Sequence, residues 1–360
     1  MTVIDFETEA IDDRPKYPPT PVGVAIKEQG KKPYYLSWGH PEKNNSTKEH
    51  ATKVLKDLWK GELLFQNGKF DLEVARVHLG LALPPWHKIH DTLYTLFLTD
   101  PHARSLSLKP SAELYLSMPP EEQDRVREWL VAHKVITAKQ GPGAFISKAP
   151  GDIVGKYAIG DVVRTLKLHE LLHPKLDEQM RKAYDRERQL MPILLENERQ
   201  GIRVDVEKLA LDVVAYDKAL AKADEWLRKR LKAPVLNLDA DAEVAAALRS
   251  SGVVTEFTKT KTGRDSTSKK NLTPDKFGDP KVAQALGYRN RLTTVLSMSM
   301  RPWLEQALAC KGYIFTDWNQ VRGDKVGTRT GRLSCSRFQN ITKNFTDKND
   351  GYSHPAHLGA

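Results

Sequence analysis

A chain of 360 residues is long enough for two or three domains at roughly 150 residues each, and 40% hydrophobic with 28% charged residues is an ordinary water-soluble composition. No run approaches the roughly 18 to 20 apolar residues of a membrane span, and no charged segment followed by an apolar one precedes the first strand pattern, so a cytoplasmic rather than a membrane or secreted protein is expected. The net charge of +10 suits a polyanionic partner, nucleic acid before membrane.

Residues 1–8 read as a strand in which Asp5 and Glu7 share one face while Ile4, Phe6 and Thr8 share the other, because successive side chains alternate. Two carboxylates that close repel each other unless a cation intervenes, and a divalent ion held by hard oxygen ligands is the natural one. An isolated Asp-x-Glu is otherwise a solvated surface pair. Residues 23–26 and 34–38 follow as neighbouring strands, 48–59 as a helix and 62–66 as a short buried strand, an alternation that argues a mixed α/β domain. Asp71, after Asn67-Gly68-Lys69-Phe70, begins the next helix, where an acid also serves as a cap or first-turn charge. The strand ending at Gln66 delivers it to the edge of the sheet.

Residues 91–116 carry two amphipathic helices broken at Pro101. His87 and His90 are three apart, yet Trp86 and Ile89 beside them suit a packed helix start better than a metal pair. Residues 119–151 form a basic, partly helical insertion with a turn at Gly141-Pro142-Gly143. Tyr157 and Asp161 then stand four apart in a helical pattern that runs to Leu172, so a phenol and a carboxylate project together. A buried tyrosine bonded to an acid one turn on has the same spacing. Cys310 and Cys335 lack the spacing of a zinc site or a disulfide framework.

Asp5, Glu7, Asp71 and Asp161, with Tyr157 four residues before the last acid, form a constellation in fixed chain order that resembles the proofreading 3′-5′ exonuclease domain of family A DNA polymerases. The matching segments are Asp5-Phe6-Glu7-Thr8, Asn67-Gly68-Lys69-Phe70-Asp71 and Tyr157-Ala158-Ile159-Gly160-Asp161. The resemblance implies hydrolysis of a phosphodiester with two divalent ions about 4 Å apart, Mg²⁺ first and Mn²⁺ second. It implies that Asp5 bridges both ions, that Glu7 and Asp161 complete the one holding the nucleophilic water, that Asp71 serves the other, and that Tyr157 orients the attacking water.

The second half resembles the same family. Residues 190–204 are similar to the helix that opens the thumb. The basic stretch 259–270, with Lys259, Lys261, Arg264, Lys269 and Lys270, is similar to a thumb-tip loop on duplex phosphates and is otherwise a solvated linker. A long helical pattern at 282–308 breaks at Pro302. Residues 327–334, with Arg329 and Arg332, followed by Phe338-Gln339-Asn340-Ile341, are similar to the lead into the polymerase palm, with Thr342 where the family has Pro.

The expected fold is α/β (α+β): a ribonuclease H-like, mixed-sheet exonuclease domain over 1–175, a mostly helical thumb over 176–312 and the start of a palm over 313–360. The family's polymerase carboxylates would lie beyond Ala360. Expected partners are DNA, as a single-stranded 3′ end at the exonuclease site and a primer-template duplex at the thumb, and a separate palm-and-fingers chain. The short start before the first motif resembles phage-type members. Two other readings stay open: a primer-template positioning module with little nuclease activity, and a ribonuclease D-like exoribonuclease, which would share the first half but not the Thr330-Gly331-Arg332-Leu333-Ser334 segment.

Overall fold

The structure is a computed structural model that describes residues 1–119, 121–268, 270–321, 327–335 and 337–338. The described residues separate into two compact units, one of residues 1–201 with those described between 315 and 338, and one of those described between 202 and 314. No helix among the described residues is long and apolar enough to cross a membrane.

The first unit is built on a five-stranded sheet. Its strands are β1 (Thr2–Thr8), β2 (Pro21–Glu28), β3 (Tyr34–Ser37), β4 (Leu63–Phe65) and β5 (Ile89–Asp91), in the order β3-β2-β1-β4-β5. β1 pairs antiparallel with β2, and β2 with β3, whereas β1, β4 and β5 run parallel. The mixed sheet and helical remainder are the fold class expected from the sequence, and β1 sits in the middle. Parallel strands need crossovers, and helices supply them: α1 (Lys48–Leu58) before β4 and α2 (Lys69–Leu79) before β5, with α3 (Thr92–Thr99) and α4 (Leu108–Leu116) next. Then come α5 (Glu121–Ala132), α6 (Gly151–Leu172) and α7 (Glu178–Gln200).

The alternation of β1 sends its side chains into two cores. Ile4 and Phe6 join Leu55, Leu72 and Val74, while Val3 joins Leu64, Val154, Ala158 and Val162 on the α6 side. Asp5 and Glu7 continue the Val3 face and so point toward α6. That helix approaches closely because glycines line it: a β-carbon on Gly151 would lie 2.7 Å from the Lys43 carbonyl oxygen, and one on Gly155 2.9 Å from the Tyr35 ring.

The units divide at Gly201 rather than near 175. α7 packs into the first core through Tyr184, Met191 and Leu195, and Arg188 donates to the carbonyls of Ile89 and His87 at 2.6 and 2.7 Å. An amphipathic pattern shows that a helix has an apolar face, not which core receives it. The chain also returns to the first unit at Phe315 rather than opening a new domain at 313. Trp318 donates to Asn197 and Glu198, and Gln320 accepts from the Tyr94 hydroxyl at 2.7 Å and donates to the Glu187 carbonyl.

The second unit is helical. β6 (Ile202–Arg203) leads to α8 (Val206–Arg230), α9 (Asp241–Ser250) and α10 (Pro280–Val295), which passes through a π turn (Leu296–Met300) into α11 (Arg301–Ala309). Pro302 thus falls where the π turn passes into α11, inside a continuous run of helical backbone, so the break expected there is a local widening of the helix rather than an end. β7 (Tyr313–Ile314) returns to β6, and β8 (Trp318–Asn319) pairs with β9 (Ser334–Cys335) back in the first unit. Arg289, 4% exposed, is held by Asp224 and Asp239, each at 2.7 Å.

Gly151→Ala is expected to lower the stability of the first unit by about 1–3 kcal/mol, because the added methyl meets backbone rather than a side chain that can turn away. A fall in denaturant midpoint at unchanged slope is the outcome to look for.

Candidate functional site

β1 places Asp5 and Glu7 on one face, and the turn after β4 brings Asp71 to them. That turn has one available shape. Asn67 takes a left-handed φ of 63°, and a β-carbon at Gly68 would lie 2.6 Å from that of Phe65. Asp91 clamps the turn: its carboxylate accepts from the amides of Asn67 at 2.9 Å and Gly68 at 2.7 Å, and also caps α3 through Leu93 at 2.8 Å. Asp71 then accepts from the Phe6 amide at 2.9 Å, which ties it to the residue between the two acids of β1.

From the other side α6 brings Tyr157 and Asp161, with the phenol donating to the carboxylate. Glu7, Asp71 and Asp161 are only 7%, 3% and 6% exposed, and Asp5 is partly buried. All five residues singled out in the sequence therefore meet at one place. Two more, not singled out, join them. Lys109 of α4 places Nζ 3.1 Å from Asp161 Oδ2 and 2.7 Å from the Tyr157 hydroxyl. Arg164, 2% exposed, lies 3.4 Å from Asp161 Oδ1 and donates to the Pro119 carbonyl at 2.7 Å. A lysine within Leu108-Lys109-Pro110-Ser111 and an arginine on a helix read as solvated charges, and no signal in the sequence marks either.

The electrostatics follow from that crowding. Burial, then the Asp161 charge, pushes the Asp5 carboxyl up to about 7, with Lys109 opposing. Burial and the neighbouring acids push Glu7 well above the carboxylate range, and burial and Asp5 do the same to Asp71 despite the Phe6 amide. Such a cluster favours cations, and its donors are carboxylate oxygens, the set that hard divalent ions prefer. The residues present fit a divalent ion.

A second cluster invites a metal and fits it poorly. Among the described residues, His90, His169 and His173 form a trio of imidazoles whose ligand atoms all lie within 4.8 Å of one another. Arg188, however, places a guanidinium nitrogen 3.2 Å from His90 Nε2, and arginine can only donate, so that nitrogen serves as an acceptor. Tyr184 occupies His90 Nδ1 at 3.3 Å. The cluster is instead a packed aromatic group, with His169 and His173 stacked at 4.5 Å.

The cations expected on DNA divide between the units. Lys259, Lys261, Arg264 and Lys270 lie in the second unit, away from the carboxylates along the chain, and Lys269 lies outside the described residues. Residues 258–266 form a small turn closed by Lys259 pairing with Asp265, with Gly263 at a φ of 79°. Lys261, Arg264 and Lys270 are exposed, whereas Lys259 spends its charge on Asp265 at 2.6 Å. Arg329 and Arg332 are exposed in the first unit, on a turn tied by Thr328 to both the amide and the carbonyl of Arg332.

Burial and the neighbouring charges lower His90 to about 3 and His169 to about 4, with Arg188 acting on both, His173 on His169, and Arg181 and Asp185 facing His173. The unfolded chain takes up these protons near pH 6.5 and the folded one does not, so stability is full above that pH and falls as pH drops toward 4. His169→Phe is expected to remove as much as one proton's worth of this slope, about 1.4 kcal/mol per pH unit. Denaturant titrations at a series of pH values measure it; an unchanged slope would show that His169 is already charged in the fold.

No family model matches the chain. It is 26% identical to the DNA polymerase of Escherichia phage T5 over 363 residues, covering 94% of this chain and 40% of that protein. It is 27% identical to the DNA polymerase DpoZ of Vibrio phage phiVC8 over 299 residues, 77% of this chain and 46% of that protein. The chain thus spans less than half the length of these two relatives. Among solved structures, the POL domain of Pol1 from M. smegmatis, in complex with DNA primer-template and dNTP, matches with a TM-score of 0.69 at 20% identity, over 96% of this chain and 52% of that one. Over most of its length the chain is thus similar in sequence to phage DNA polymerases, and it shares its fold with a Pol1 polymerase domain.

Proposed function

We propose that the first unit is a metal-dependent 3′-5′ DNA exonuclease, the proofreading part of a family A DNA polymerase, and that residues 202–314 are its thumb. The observation that carries this reading is the meeting of Asp5, Glu7, Asp71 and Asp161 with the Tyr157 phenol. Asp5, Glu7, Asp71 and Asp161 would hold two divalent ions, Mg²⁺ or Mn²⁺. When bound, these activate a water and stabilise the leaving 3′ oxygen.

The chain's own groups have separate tasks. The Phe6 amide and the Asp91 clamp keep Asp71 from swinging away from its like-charged neighbours. Tyr157 is held in its phenol form by burial first and then by Glu7 and Asp161, so its hydroxyl stays a proton donor able to orient a water without releasing its proton. A cleft of about 500 Å³ has Phe70, the chain neighbour of Asp71, in its wall together with Tyr17, Leu106 and Trp318, while the four carboxylates do not line it. Aromatic and apolar walls suit unpaired bases, which stack without regard to sequence. The rival reading, a primer-template positioning module with little nuclease activity, draws support from the exposed cations of the second unit. The similarity to DNA polymerases over most of the chain favours both of these over a ribonuclease D-like enzyme.

The deciding assay is digestion of a 5′-labelled single strand by the purified chain, with and without Mg²⁺. Stepwise shortening that needs Mg²⁺ is expected. Asp5→Ala should remove it by several orders of magnitude with melting temperature retained, and Tyr157→Phe should slow it about 10- to 100-fold. Equal losses from both substitutions would refute a positioning role for Tyr157. A parent chain that binds primer-template yet shortens nothing would instead favour the positioning module.

Binding to primer-template duplex should weaken with salt. Lys261→Ala, Arg264→Ala and Lys270→Ala together should flatten the log–log slope by up to about 0.9 for each phosphate that is no longer neutralised, whereas Lys259→Ala, already paired with Asp265, should change it less. Anisotropy titrations across a salt series read both.

A further inference from the structure

Lys109 occupies a position that helix energetics alone would not choose. It is the second residue of α4, a helix with no acid in its first turn, so its charge sits against the positive end of the dipole. What holds it there is the carboxylate site: Asp161 Oδ2 at 3.1 Å, the Tyr157 hydroxyl at 2.7 Å, and the Tyr157 ring with its centroid 4.2 Å from Nζ.

Asp161 thus faces a cation on each oxygen, and the two differ in freedom. Arg164 is buried and anchored to the Pro119 carbonyl. Lys109 rides on a flexible stem, its side chain 20% exposed, and can withdraw its point charge. For Asp161 to ligate an ion, Oδ2 is the oxygen that can be released. The hydrogen bond to the phenol, the shorter of the two, need not be.

Resting on the exonuclease reading above, we propose that Lys109 is a tethered cation that competes with a divalent ion for Asp161 Oδ2 while keeping the Tyr157 phenol oriented. It is a positioning residue, acting through Tyr157 and Asp161 rather than on the substrate. Two effects of opposite sign follow from its removal. Without the charge Asp161 has one competitor fewer, so a divalent ion binds more tightly. Without the hydrogen bond to its phenol Tyr157 can turn, so the maximal rate falls. A salt bridge with only a structural role would lower stability and give neither.

The test uses the 360-residue chain and Mn²⁺ alone, with free ion read by electron paramagnetic resonance. Lys109→Met is expected to bind Mn²⁺ about tenfold more tightly than the parent, since a unit charge a few ångströms away is removed. Lys109→Arg, which keeps the charge, should stay within about twofold of the parent. Lys109→Gln serves the same comparison if the methionine variant does not fold. In the nuclease assay at saturating Mn²⁺, Lys109→Met should lose about tenfold in rate in the parent background and nearly nothing in Tyr157→Phe, the non-additivity of groups acting as one. Unchanged or weaker Mn²⁺ affinity in the uncharged variants overturns the proposal. A parent that shortens no DNA overturns the exonuclease reading instead, and the Mn²⁺ comparison, which needs no turnover, still decides the role of Lys109.

Discussion

The first unit depends on holding several carboxylates together at β1 against their mutual repulsion. Burial and repulsion both disfavour the charged forms of Asp5, Glu7 and Asp71, so each must be kept in place by something other than its own preference. The restraints are covalent or backbone in kind: strand alternation for Asp5 and Glu7, the Phe6 amide for Asp71, and a helix pinned by close glycine approaches for Asp161. Arg164 and Lys109 then supply the compensating charge. A site so built stores a demand for cations, and the fold around it is the frame that keeps the demand from relaxing.

The frame explains features that look unconnected along the chain. Asp91 belongs to β5 and caps α3, yet two of the hydrogen bonds it accepts reach back to the 67–68 turn that aims Asp71. Lys69, in that same stretch, pairs with Glu198 of α7, and Glu198 also accepts from the Trp318 amide at 2.7 Å. The last helix of the first unit and the segment that returns to it are therefore tied to the turn bearing a candidate ligand. Loosening either is a route to disturbing the site from more than a hundred residues away in sequence.

The second unit follows other rules. Among the described residues it has no sheet of comparable size to organise it, and its helices α8 to α11 share two modest cores, one around Leu227, Leu248 and Val282 and one around Tyr216, Leu292 and Leu296. The buried Arg289, paired with Asp224 and Asp239, fixes α10 against α8 and the loop before α9 where apolar area is limited. Breaking such a pair by removing one partner is costly even where the intact pair adds little, because the charge left behind stays buried.

Local rules made much of this legible in the sequence. Period-two alternation put Asp5 and Glu7 on one face, the four-residue spacing put Tyr157 with Asp161, and the short strand pattern ending at Gln66 carried Asp71 to the sheet edge; all depend on residues within a few positions of each other. The mixed α/β class followed from the order of strand and helix patterns, because crossover connections leave their trace in the chain. Tertiary structure alone decided which core took α7, where the chain returned at Phe315, and that Lys109 and Arg164 face Asp161. Nothing within a few residues of Lys109 distinguishes it from a solvated lysine. Its partners stand 48 and 52 positions away, and only the packing of α4 against α6 brings them within a hydrogen bond.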